Sequence, residues 1–128
     1  MVIDTSAIVA IASNEAEAET FERKIADDPV RFISAATWLE ASIVLEARLG
    51  EAGASEFDLW LHRGGVEMVA VDKEQIEAAR RAWRRFGKGR HPAGLNFGDC
   101  FSYALARTRG EPLLFKGDDF ARTDIEGA

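Results

Sequence analysis

Val66-Glu67-Met68-Val69-Ala70-Val71 is the clearest strand pattern in the chain, and it runs directly into Asp72, which with Gln75 three residues on fits a capping box opening a helix. Strand followed by helix recurs in both directions from there. Towards the amino end, the Gly64-Gly65 pair closes a helix over 56–63 that Ser55 caps, and another strong helix over 36–49 stops at Gly50. Before these come the strand Arg31-Phe32-Ile33-Ser34, the breaker Asp28-Pro29, and a helix over 14–27 rich in Ala and Glu. Met1-Val2-Ile3 reads as a short buried strand that ends at Asp4. Towards the carboxyl end, a loop with Gly87, Gly89, Pro92 and Gly94 breaks the helix begun at Asp72. A long helix over 98–108 follows, closed by Gly110, and Leu113-Leu114-Phe115 is the last strand.

Short apolar strands alternating with helices predict an α/β three-layer sandwich, a short parallel sheet flanked by helices on both faces. At 128 residues the chain suits one domain spanning 1–128. In such folds the chemistry lies beyond the carboxyl ends of the strands, where Asp4 and residues 117–119 fall. A composition of 47% hydrophobic and 30% charged residues is that of a water-soluble globular protein. No basic residue precedes the short apolar run 7–12, and no run approaches the roughly 18 residues of a membrane span, so a cytoplasmic protein without a membrane partner is expected. Cys100 is the only cysteine, which rules out an internal disulfide and a multi-cysteine zinc site.

Several acids stand where structure alone does not require them. On helix 36–49, Ala36, Glu40, Ile43, Val44 and Ala47 share a face by the three-and-four spacing, which places Glu40 in an apolar stripe. Unpaired, it would cost on the order of several kcal/mol of desolvation there. Asp4 ends a strand, where capping the next helix explains it equally well. Asp99 falls in the first turn of a helix, where the dipole alone favours a negative charge. Asp118 and Asp119 follow the last strand and also suit a turn. Together, one acid after the first strand, one on a helix face, one at a helix start and one after the last strand converge. Close carboxylates repel unless a cation neutralises them, and an all-oxygen set suits magnesium or manganese.

Net charge is −6, which argues against a polyanionic partner, yet Arg80, Arg81, Arg84, Arg85, Lys88 and Arg90 form a block without an intervening acid. The block is either a solvated helix face or a ledge for an RNA backbone, with Trp83 and Phe86 placed to stack on bases or to fill the core.

Four ordered blocks cover nearly the whole chain: MVIDTSA (1–7), WLEASIVLEAR (38–48), LNFGDCFSYALAR (95–107) and PLLFKGDDFARTDI (112–125). They resemble the PIN-domain family and, within it, the VapC-type toxins of bacterial toxin–antitoxin pairs. The resemblance implies a magnesium- or manganese-dependent endoribonuclease in which Asp4, Glu40 and Asp99 hold the metal and support RNA cleavage. Members carry a fourth acid near an Asp-Phe pair after the last strand; Asp119 directly precedes Phe120, with Asp118 the fallback. Thr5 or Ser6 then supports the site through its hydroxyl, or caps the helix. The implied partners are an RNA substrate, a small VapB-type antitoxin and a second copy of the chain in a homodimer. Two other readings remain: a receiver-like phosphotransfer protein, which Lys116 suits and Glu40 does not, and a non-catalytic module whose acids accept basic side chains from a protein partner.

Overall fold

The computed structural model describes residues 1–128. Four strands form one parallel sheet: β1 (Val2–Ile3), β2 (Phe32–Ser34), β3 (Glu67–Val69) and β4 (Leu113–Leu114), in the order β3-β2-β1-β4. Val2 lies opposite Phe32 on one side and Leu113 on the other. The chain therefore builds outward from β1 to β2 and β3 before returning to the far side of β1. That reversal makes the carboxyl ends of β1 and β4 the topological switch point, where open α/β sheets hold their ligands.

Alternation along strands only two or three residues long divides the core in two. Ile3, Ile33 and Leu114 face a layer built from α1 (Thr5–Ala12), α2 (Ala18–Asp27) and α3 (Ala35–Arg63), joined by Ile8, Phe21, Leu45 and Phe57. Val2 and Leu113 face the other layer, α4 (Lys73–Phe86) and α5 (Phe97–Arg109), with Ala78, Ala82, Tyr103 and Leu105. The three-layer α/β sandwich expected from the sequence is what forms.

Several boundaries move, each for a local reason. α2 starts at Ala18 rather than at 14, because Asn14 takes a left-handed conformation with φ of 50°. The helices expected over 36–49 and 56–63 are two arms of α3, continuous through 51–55 and kinked at Gly50, whose φ of 75° only glycine adopts readily. β3 keeps only Glu67–Val69 of the expected six residues. As an edge strand it leaves Met68 49% exposed. Asp72 does cap α4, accepting from the Gln75 amide at 2.9 Å, but the Gln75 side chain donates to the Ala70 carbonyl, so the box is half formed. No helix is long and apolar enough to cross a membrane.

Ile33 is fully buried in the second strand and contributes to the α1–α3 layer. Ile33→Ala should cost about 2–5 kcal/mol in urea denaturation with an unchanged dependence on denaturant, and a smaller loss would mean the layer collapses onto the space left behind.

Candidate active site

At the switch point, Asp4 closes β1 and caps α1. Although only 3% exposed, it is anchored: Oδ2 accepts from the Ser6 amide at 2.9 Å and from the Ser6 hydroxyl at 2.7 Å. The same hydroxyl accepts from the Lys116 amide at 2.9 Å, so the segment after β4 is tied through Ser6 to Asp4. Capping occupies Oδ2 and leaves Oδ1 without a protein donor.

Glu40 occupies a different place from the one its pattern suggested. α3 turns Thr37, Ala41 and Leu45 into the core, whereas Ile43 is 60% exposed. The stripe through Ala36, Glu40, Ile43, Val44 and Ala47 is therefore not the core face, and Glu40 does not interrupt it. Both stripes satisfy the three-and-four spacing in this Ala- and Leu-rich helix, and packing on the sheet selects the one a single position round. Glu40 instead lies half-buried on the flank with Val44 and Arg48, facing the acids. Thr5 Oγ1 donates to its Oε1 at 2.5 Å. A Cβ on Gly98 would fall 2.0 Å from Oε2, so the bare glycine is what lets α5 approach the carboxylate.

Asp99 is the third residue of α5 and half of a full capping box. Its amide donates to Asn96 Oδ1 at 2.8 Å, and its Oδ2 accepts from the Asn96 amide at 2.9 Å. An Asn followed three residues on by an acid is the sequence signature of this box, which adds to the favourable helix dipole at Asp99. Burial pushes the Asp99 carboxyl up; the Asn96 amide pulls it back, and the charges of Asp4, Asp119 and Glu40 raise it again, to about 6. The four acids singled out in the sequence thus feel one another at Asp99. Asp119 is exposed at the start of the 3-10 turn Phe120–Arg122, where its side chain caps nothing, and Asp118 is exposed beside Gly117.

The cleft between these groups encloses about 610 Å³ and is lined by Asp4, Thr5, Ser6, Glu40, Asn96 and Asp99, together with Val9, Glu15, Val44, Arg48 and Lys116. Asp119 stands outside this lining. No three acidic, histidine or cysteine side chains are drawn closely enough to enclose an ion as they stand.

The basic block lies elsewhere. None of Arg80, Arg81, Arg84, Arg85 or Lys88 lines the cleft. Arg85 is bonded to Asp124 at 2.8 Å and sits over the Phe86 ring, while Arg90 stacks over Trp83. Phe86 is core; Trp83 is 44% exposed. Asp124 also accepts from the Tyr103 hydroxyl at 2.5 Å. Burial tends to raise its carboxyl, but Tyr103, Arg107 and Arg85 hold it below the usual range. The cations that do line the cleft, Arg48 and Lys116, were not singled out as RNA contacts. Arg48 was detectable, since it lies eight residues beyond Glu40 on the same helical face. Lys116 pairs with Glu15 and lies 3.0 Å from Glu17.

Crowding at Asp99 has a sign. Its proton is held more tightly in the folded than in the unfolded chain, so the metal-free protein loses stability as pH rises from about 4 to about 6 and does not regain it above. Asp99→Asn keeps an oxygen for the Asn96 amide and removes the charge. In chelator it should exceed the parent in stability by on the order of 1 kcal/mol near pH 8, solvent screening included, and match it near pH 4. Urea denaturation at the two pH values checks this; no gain near pH 8 would mean that neither burial nor the neighbouring charges raise the Asp99 carboxyl.

A family model described as "PIN domain" matches residues 1–126. The chain is 62% identical over 125 residues to a "Ribonuclease VapC" of Mycolicibacterium smegmatis, covering 98% of this chain and 97% of the relative. It is 59% identical to "Ribonuclease VapC30" of Mycobacterium tuberculosis, covering 98% and 95%. Among solved structures, M. tuberculosis VapC20, described as a sarcin-ricin loop cleaving toxin, superposes with a TM-score of 0.80 at 22% identity, over 99% of this chain and 97% of that one. A toxin–antitoxin complex from Klebsiella pneumoniae superposes with a TM-score of 0.74 at 18% identity, over 96% and 92%. With the fold and these matches in agreement, the chain belongs to the PIN-domain family, among its VapC ribonucleases.

Proposed function

We propose that this chain is the toxin of a toxin–antitoxin pair, an endoribonuclease dependent on Mg2+ or Mn2+ that hydrolyses RNA phosphodiester bonds at Asp4, Glu40, Asp99 and Asp119. The observation that carries the reading is the gathering of carboxylate charge on Asp99 beyond what capping needs. Asp4 and Asp99 each use one oxygen to cap a helix, and Glu40 caps nothing. Their all-oxygen chemistry fits a hard divalent cation, and the glycine at 98 leaves Glu40 room beside Asp99. Asp4, Glu40 and Asp99, with Asp119 at the rim, would hold the ion. When bound, it supplies positive charge for the phosphodiester oxygens and the departing oxyanion.

The remaining residues orient these acids. Ser6 fixes Asp4 through Oδ2, so Oδ1 keeps a single direction. Thr5 does the same for Glu40, and the Asn96 amide for Asp99. The names of the relatives motivate RNA as substrate, and the complex from K. pneumoniae motivates a VapB-type antitoxin as partner. For the homodimer, we assign the strip between α4 and α5 where Ile76, Trp83 and Phe97, the last 81% exposed, form one contiguous apolar patch.

The purified protein should cleave RNA with Mg2+ or Mn2+ and stop on chelation. Asp4→Ala and Asp99→Asn should each lower kcat by on the order of 100-fold or more while retaining the circular dichroism of the parent. Asp99→Asn is the sharper variant, because lost activity would accompany gained stability. Full activity in either one overturns the mechanism. Phe97→Glu should give a monomer by light scattering, and an unchanged mass would place the dimer interface elsewhere.

A further inference from the structure

We infer that Arg48 and Lys116 grip the RNA phosphates at the cleft, the role that the sequence pattern offered to the arginines of α4. The inference rests on the ribonuclease reading above. Four acids, Asp4, Glu15, Glu40 and Asp99, line the cleft against these two bases. One divalent cation would bring that lining to neutrality and the charge of Asp119 beside it leaves the site net negative, so a polyanion gains nothing by entering unless individual cations meet its phosphates. Arg48 and Lys116 are the only two side chains on the lining that can do so.

They stand on different elements. Arg48 is two helical turns beyond Glu40, on the same face of α3, which places it roughly 12 Å along the helix from that acid. It is exposed and makes no ion pair within 4.0 Å, while seven such pairs form elsewhere in the molecule. A guanidinium unpaired beside four carboxylates is poised for an incoming anion, for which its planar fork is well suited. Lys116 enters from beyond β4. Its amide is fixed on Ser6, itself bonded to Asp4, so the backbone of this lysine is held in register with the acid. Its ammonium lies on Glu15 and Glu17, from the turn between α1 and α2. Both pairs are partly open to solvent, which weakens them and lets a phosphate take the lysine over. The α4 arginines have no such position, and Arg85 is already engaged by Asp124.

The test is cleavage of a labelled mixed-sequence single-stranded RNA in Mg2+ across roughly 50 to 200 mM salt. Arg48→Ala and Lys116→Ala should each raise KM by about 10-fold with kcat nearly unchanged. Each should also reduce the slope of log KM against log salt by roughly 0.7, the loss of one phosphate contact on a single strand. Arg48→Lys should restore most of the slope, and Lys73→Ala, the same charge change at an exposed position on α4, should leave both quantities unchanged. Glu15→Gln with Glu17→Gln should lower KM by releasing Lys116, a gain that disappears when Lys116→Ala is added. Parental KM and slope in Arg48→Ala and Lys116→Ala would overturn the inference, as would a loss confined to kcat. Parent protein that cleaves no RNA in Mg2+ would overturn the ribonuclease reading, and this assignment with it.

Discussion

Carboxylates brought together inside a protein repel one another, and in this molecule the repulsion converges on Asp99, whose carboxyl is raised by burial and by three neighbouring acids. A fold that only had to be stable would not assemble them. Everything near the switch point can be understood as holding these groups in place against that force. Ser6 fixes Asp4, Thr5 fixes Glu40, the Asn96 box fixes Asp99, and the missing side chain at Gly98 lets two of the acids approach. Each anchor uses one oxygen of its acid and leaves the other unoccupied.

The fold supplies the place. Because β1 is central and its neighbours β2 and β4 are laid down on opposite sides, their connections diverge above the carboxyl ends and leave an opening there. Strands of two or three residues suffice, since all-parallel strands here are covered by helices on both faces and need only alternate one residue to each layer. Stability is thus concentrated in the two cores, and the polar rim is left to the site.

Charge is arranged on two scales. An acidic protein carries its arginine block on α4, where part of the block is absorbed by Asp124 and by aromatic faces. The cations that line the cleft are an isolated arginine and an isolated lysine from distant parts of the chain. Counting charge along the sequence finds the first arrangement and overlooks the second, because Arg48 and Lys116 reach one cleft only through the packing of α3 against α1 and the pairing of β4 with β1.

Local patterning determined the α/β class, the alternation of strands and helices and the Gly50 break, because strand and helix periodicity and glycine stereochemistry act over a few residues. It also contains the Asn96–Asp99 box. Tertiary structure alone decided which of two equally apolar stripes of α3 faces the core, and so whether Glu40 is buried in the core or faces the cleft. It also decided that Thr5 serves Glu40, and which cations border the acids. Those outcomes depend on contacts between residues tens of positions apart. Hydrophobic periodicity cannot rank two faces of similar composition until a sheet is present to pack against one of them.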